Sequence, residues 1–370
     1  MPEAQVVGSL AAIDPADWQA LFGDEPEGYD YLTAVEQAGL EGFRWRYVLL
    51  REGGRPIAAA PAFLTDYALE TTLSGPGRHI FQGLRRIVPG ALTVRLACIG
   101  SPCITTAGVG LSPGLAPAER APVLGQLLAA FEGVAAAERC GLLALKDVPE
   151  PDRPIWDEVA GARGYRPMPS LPIARLDIDF ASREEYLGRL TASARKDMRR
   201  KLRAFAQVRV EIREAVDDVA ERLMALYRQT RARAEMSFEH LTAAYFTGVP
   251  RRMGQRAFYV LYYLGDDLLA ANLLLQDQTT LVDKYFLMDA ERGRPLNLYF
   301  LSWFTNVGLC LERGLKCYQS GQAAYENKLR LGSRLTRTSI YFRHRNTVVN
   351  GAMQLFAPLF AADPTLKHAA

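Results

Sequence analysis

The residues best placed to do chemistry lie between Thr280 and Gly332. Asp283, Lys284 and Tyr285 share a strand-like run, Thr280–Leu287, and Gln319, Tyr325 and Lys328 attend a second short strand around Lys316–Gln319. A lysine can hold a phosphate or a developing oxyanion, and an aspartate can accept a proton from an attacking amine. Tyr325 can donate to a leaving thiolate or alkoxide, or simply pack as an aromatic. Tyr325 and Lys328 are three residues apart, so they share one face of any helix they form. Strict alternation along the first strand predicts Asp283 and Tyr285 on one face of the sheet and Lys284 on the other. An unpaired charge on an inner strand is costly. These groups therefore find partners, reach the sheet's edge, or line a site.

Two basic features accompany them. Arg292-Gly293-Arg294-Pro295 precedes a long apolar helix over Leu296–Glu312. Free amides and the dipole at such a helix start attract anions, so Arg292 and Arg294 are candidate phosphate ligands, or belong to an ordinary exposed turn. Upstream, Ser182–Phe205 carries one apolar stripe (Leu187, Leu190, Met198, Leu202 and Phe205) and reads as a single amphipathic helix with a basic face. Its Arg195, Lys196 and Arg199 either bind an anionic substrate or a tRNA backbone, or form a solvated face.

Familiar alternatives are missing. The four His (79, 240, 344 and 368) include no pair at metal-ligand spacing, which argues against a zinc hydrolase. There is no Gly-x-Ser-x-Gly elbow, no phosphate loop ending in Gly-Lys-Ser/Thr and no Gly-x-Gly-x-x-Gly. Five Cys without a Cys-x-x-Cys indicate free thiols in a reducing compartment. With no secretion signal at the start and no uninterrupted apolar run of about 18 residues, a cytoplasmic protein without a membrane span is expected. The formal charge of +3 does not by itself call for nucleic acid. Only seven of the 44 basic residues are Lys. Either each Lys carries more meaning, or the bias reflects coding composition.

The elements that must position these groups fall into two halves. A chain of 370 residues exceeds one average core, so two domains of roughly 180 residues are expected. Their expected bounds are 1–180 and 181–370, with the basic helix 182–205 as the link. Asp14 is placed to cap a helix over Pro15–Phe22. Trp45–Leu50 and Pro56–Leu64 flank a glycine turn and read as a hairpin. Ala121–Arg139 reads as a helix and Gly141–Lys146 as the strand after it. The pattern then recurs. Tyr259-Val260-Leu261 repeats Tyr47-Val48-Leu49, and at the same offset Gly265 matches Gly53 and Ala270-Ala271 matches Ala58-Ala59. Glu312-Arg313-Gly314 echoes the Glu138–Gly141 helix end. Two copies of a hairpin–strand–helix–strand unit are the expectation, against chance likeness of apolar hairpins. A strand–helix–strand unit ending in polar groups is where an open sheet places its ligand.

Three motifs carry a resemblance. Ser193-Ala194-Arg195-Lys196-Asp197-Met198-Arg199-Arg200 resembles the Ser-x-Arg-Lys/Arg-x-Ile-Arg helix between the two domains of FemAB-like proteins. Arg294-Pro295-Leu296-Asn297-Leu298-Tyr299 stands where that family has a Pro-Gly-x-x-Leu helix start, and Gly321–Gly332 resembles its Gly-x-x-x-Tyr-Lys-x-x-Phe-Gly close. Over residues 40–345 the chain is similar to tandem acyltransferases of the GNAT superfamily, of the FemAB-like and BioF2-like type. It departs from them in Gln319, where an Asp is common before the final glycine, in a longer Tyr–Lys spacing, and in Pro295 lacking its Gly.

The resemblance implies an α/β (α+β) fold of two tandem GNAT-like domains, each a mixed, mostly antiparallel sheet flanked by helices. It implies an enzyme moving an acyl group from a thioester, acyl-CoA or an acyl carrier protein, to an amine of a small molecule or amino acid. The donor would lie between splayed strands at Thr280–Leu287 and Lys316–Gln319, whose free amides would hold it. Lys328, Tyr325, Asp283 and Gln319 would be catalytic. Arg292, Arg294, Lys284, Tyr285, Arg195, Lys196 and Arg199 would bind donor or substrate. No permanently bound cofactor is implied. FemAB-like proteins use aminoacyl-tRNA, so a tRNA-dependent peptide-bond former is the alternative. A non-catalytic binding protein on a degenerate acyltransferase fold is a further one.

Overall fold

The computed structural model describes residues 2–68, 93–234, 238–351 and 353. In chain order the first elements are β1 (Glu3–Val7), α1 (Pro15–Phe22), α2 (Tyr29–Gln37), β2 (Arg44–Glu52), β3 (Arg55–Ala68) and β4 (Thr93–Ile99). They are followed by β5 (Gly110–Leu111), α3 (Pro117–Ala137), β6 (Leu142–Pro149), α4 (Arg153–Gly161) and β7 (Arg166–Asp177). Then come α5 (Arg183–Arg189), α6 (Ala192–Lys201), β8 (Arg209–Arg213), α7 (Ala220–Ala232) and α8 (Ala243–Met253). The remaining described elements are β9 (Ala257–Leu264), β10 (Asp267–Gln276), β11 (Thr280–Met288), α9 (Ala290–Gly293), α10 (Leu298–Glu312), β12 (Cys317–Gln319), α11 (Tyr325–Arg330) and β13 (Arg334–His344).

Two compact units result. One gathers Met1–Gly23, Glu41–Pro172 and the chain from Arg337 onward; the other gathers Asp24–Leu40 and Ile173–Thr336. In the first unit the strand order is β1-β2-β3-β4-β6-β13. Every step is antiparallel except β4–β6. In the second the order is β8-β9-β10-β11-β12-β7, again antiparallel except at β11–β12. The two units thus share one topology, a mixed and mostly antiparallel sheet flanked by helices.

Local chemistry explains the matching pieces. Asp14 caps α1 by accepting from the Ala16 amide at 2.9 Å. Gly53 and Gly54 supply two consecutive positive φ angles, 56° and 79°, as a tight two-residue hairpin turn demands. Both long helices end alike. The Cys140 amide reaches the Ala135 carbonyl at 2.8 Å, and the Leu315 amide reaches Cys310 at 2.9 Å. Each end turns on a left-handed residue, Arg139 (φ 56°) in one and Gly314 (φ 67°) in the other. Each long helix then lays an apolar face on its own sheet, with Leu127, Leu128 and Phe131 buried in one unit and Leu301, Phe304 and Val307 in the other.

The basic stretch 182–205 departs from expectation, because it forms two helices and a 3-10 turn in place of one helix. Leu190 is extended (ψ 154°), and the Thr191 hydroxyl accepts from the Ala194 amide at 3.3 Å. A threonine hydroxyl that caps a new helix competes with continuation of the old one. Among the described residues no helix is long and apolar enough to cross a membrane.

Candidate functional site

The second unit's parallel ladder pairs Thr280 with Cys317, Leu281 with Tyr318 and Val282 with Gln319, and stops there. Strand β11 runs on to Met288 while the chain after β12 turns away. The turn uses Gly321 at φ 76°, where an added Cβ would lie 3.7 Å from the Asp283 carbonyl. Ala324, left-handed at φ 54°, then leads into α11.

Helix α11 returns Lys328 over this turn. Its ammonium donates to the Ser320 carbonyl and, at 3.2 Å, to that of Gly321. Lys328 is only 4% exposed. Burial pushes its pKa down to about 8, and the nearby charge of Asp283 opposes the shift only in part. Its ionisation therefore changes close to neutral pH.

Asp283 takes the Tyr318 hydroxyl as donor at 2.8 Å. Asn306, on α10, donates to the Tyr318 oxygen at 2.9 Å and stands 3.5 Å from the same carboxylate oxygen. Burial raises the Asp283 pKa, while the Tyr318 bond, the Lys328 charge and Asn272 hold it down. Burial wins. Behind this group Asn272 donates to Ser302 at 3.0 Å. Gln319 is buried, and its side-chain oxygen accepts from Arg175 at 3.2 Å. Tyr325, partly buried, opens α11 three residues before Lys328.

Strict alternation fails on β11. Leu273 pairs with Tyr285 and Leu274 with Asp283, so Lys284 is the extra residue of a bulge. Asp283 consequently faces α10, whereas Tyr285 faces α8, packing against Tyr245 and Phe246 and donating to Glu239 at 2.6 Å. Lys284 pairs with Glu27, with the two side chains 9% and 14% exposed, and lies over the Tyr31 ring at 5.1 Å. The structure thus brings together Asp283 and Lys328, and turns Lys284 and Tyr285 to the other side; Gln319 alternates with Tyr318 along β12 and meets Arg175 in place of this group.

The basic candidates lie elsewhere on this unit. Arg292 is exposed and paired with Asp267 at 2.7 Å, and Arg294 is exposed beside it. Asn306 is eight residues along α10 from Leu298, about 12 Å of helix rise. Arg195, Lys196 and Arg199 line an open basin of about 790 Å³ with Arg200, Arg203 and Arg330. Asp197 organises it, meeting Arg200 at 2.7 Å and both Lys201 and Arg330 at 3.0 Å. These cations, hydrogen bonds first, hold its carboxyl down at about 2. Arg330 and Lys328 leave the same short helix, one toward the basin and one toward Asp283.

Sequence reasoning missed Tyr318, Asn306, Asn272 and Ser302. One signal was readable, since Asn306 stands between apolar residues on an otherwise buried helix face, where polarity is an error unless it has a use. The paired registers sharpen this. Leu96 meets Leu142 where Thr280 meets Cys317, which equates Ile99 with Asp283 and Leu143 with Tyr318. The hairpin registers equate Ala60 with Asn272, and the matched helix ends equate Leu127 with Ser302 and Phe131 with Asn306. All five first-unit residues belong to one apolar core. Five polar groups replace them in the second unit.

The family model named FemAB-like, described as peptidoglycan biosynthesis/recognition, matches residues 175–361. A putative 8-amino-7-oxononanoate synthase 2 of Mycobacterium tuberculosis is 24% identical over 337 residues, 88% of this chain. The chain spans 43% of that relative's length. Among solved structures, FemX aligns over 96% of this chain and all of its own with a TM-score of 0.61 at 13% identity. A tandem GNAT protein from the clavulanic acid biosynthesis pathway aligns over 94% of this chain and 99% of its own, with a TM-score of 0.56 at 13% identity. At such identities these two show a shared fold.

Proposed function

This chain belongs to the FemAB-like family, and from that premise we propose that it is an N-acyltransferase with its active centre in the second unit. The observation that carries the proposal is the Asp283–Tyr318–Lys328 group at the end of the β11–β12 ladder, in a core the first unit closes with apolar side chains. Burying polar groups costs stability. Five polar groups at positions the first unit fills with apolar side chains are therefore consistent with a use beyond folding.

In this reading the donor is a thioester, acyl-CoA or an acyl carrier protein, and the acceptor is a small-molecule amine. The amine nitrogen attacks the thioester carbonyl, and its proton passes to Asp283. The Lys328 ammonium stabilises the negative charge on the carbonyl oxygen. The C–S bond then breaks, and the thiolate takes a proton from the Tyr325 hydroxyl, which regains one from solvent as Asp283 releases its own to solvent. Arg195, Lys196 and Arg199 in the basin, with Arg292 and Arg294, would hold anionic parts of donor or acceptor. Positioning and charge stabilisation supply the rate, so no protein nucleophile is required.

The basin also favours a second reading, in which the donor is an aminoacyl-tRNA whose backbone lies along α6. The test is thermal stabilisation and turnover with a panel of acyl-CoAs and charged tRNAs, each offered with a panel of amines. Stabilisation and product with thioesters alone support the first reading, and with charged tRNA alone the second. Silence from both discards transfer in favour of a binding role.

A further inference from the structure

The second unit's polar core is ordered in one direction. A tyrosine hydroxyl has one proton to give and two lone pairs to offer. The Asn306 amide takes one lone pair of Tyr318 at 2.9 Å, and the carboxylate of Asp283, 2.8 Å away, is the acceptor left for the proton. Asn306 is fully buried and its side-chain oxygen has no partner among the described residues, so its amide serves this group alone, donating to Tyr318 at 2.9 Å and reaching Asp283 at 3.5 Å. We propose that Asn306 and Tyr318 are positioning residues that keep Asp283 in its proton-accepting, charged form. The proposal rests on the reading above only in giving that form its use, taking the proton from the attacking amine.

The groups facing Asp283 come from every neighbouring element. Tyr262 stands on β9, Asn272 on β10, Tyr299 and Asn306 on α10, Tyr318 on β12 and Lys328 on α11. Burial pushes the three tyrosine hydroxyls above their ordinary range, so they remain neutral donors through the working pH. Among these residues only Lys328 brings a charge. Three supports therefore stand against the burial of this carboxylate: the directed hydrogen bond from Tyr318, one cation that titrates near neutrality, and Asn272. In a chain of hydrogen bonds each link polarises the next, so losing the Asn306 amide weakens the bond from Tyr318.

The experiment reads the carboxyl itself, without turnover. Carboxyl-carbon NMR of aspartate-labelled protein, with Asp283→Asn to identify the resonance, gives the Asp283 titration midpoint. In Tyr318→Phe the midpoint rises by about one to two pH units, the loss of one hydrogen bond to a charged group. Asn306→Ser raises it by a smaller step. Asn306→Asp raises it more than Ser does, because the new carboxylate draws the Tyr318 proton toward itself and adds a like charge. A midpoint that stays put in the folded Asn306 variants overturns the proposal, whether or not Tyr318→Phe folds. If the midpoint rises but the acid limb of kcat/KM does not follow, the positioning stands and Asp283 is discarded as the proton acceptor.

Discussion

Asp283 and Tyr285 face opposite sides of one sheet although a single residue separates them. Lys284, the extra residue of the bulge between them, follows Tyr285 and leaves Asp283 alone with α10. The strand therefore presents its acid to one neighbourhood and its base to another. That division decides which side chains can act together.

Lys328→Ala is expected to lower turnover by at least ~100-fold, the scale of losing one charge-stabilising donor. Removing a buried ammonium also relieves its desolvation, so the melting temperature should change little. Steady-state kinetics beside a melting curve checks both, and near-normal turnover would retire Lys328 from the mechanism.

The pH dependence follows from two groups with opposite requirements. Lys328 acts while protonated, so activity should fall as pH rises through about 8. Asp283 acts while charged, so activity should also fall as pH drops through its raised pKa. The profile of kcat/KM is then a bell with its basic limb near 8. A profile flat across that limb would exclude the lysine.

Glu27→Ala leaves Lys284 charged in a poorly solvated place. The pair is nearly but not wholly buried, so a loss of about 2 kcal/mol is expected, below the range for fully buried pairs. Urea unfolding measures it. Because this pair lies across the sheet from Asp283, kcat should stay within about twofold, whereas a large fall in kcat would bring Lys284 back to the site.

In the basin, Lys196→Ala and Arg199→Ala should raise KM several-fold while leaving kcat in place, the mark of lost binding shared by ground and transition states. Donor type can be read from salt. With a tRNA donor, each lost phosphate contact reduces the slope of log K against log salt by about 0.7 to 0.9. With a small thioester the slope starts shallow and changes little.

Much of the fold was legible in local chemistry. The Asp14 cap, the Gly53-Gly54 turn, the paired Tyr-Val-Leu strands and the matched helix ends depend on residues within a few positions of one another, and each lies where its signals stand. The shared topology follows from that repetition. Lys328 and Tyr325 on one helical turn were equally readable, because a helix sets its own geometry.

The sequence by itself thus determined the caps, the paired hairpins, the matched helix ends and the family's fold, though not the break at Leu190 that splits the basic stretch. Tertiary structure alone decided that Lys284 is a bulge residue, because a bulge exists only relative to the strand opposite. It also decided that Asp24–Leu40 and the chain from Arg337 onward each join the unit distant in sequence. It placed Tyr318 and Asn306 around Asp283, across separations no local rule spans. The reason is the same in each case. Pairing partners and burial are properties of the packed chain, and the pKa of Asp283 and Lys328 exists only once both are met.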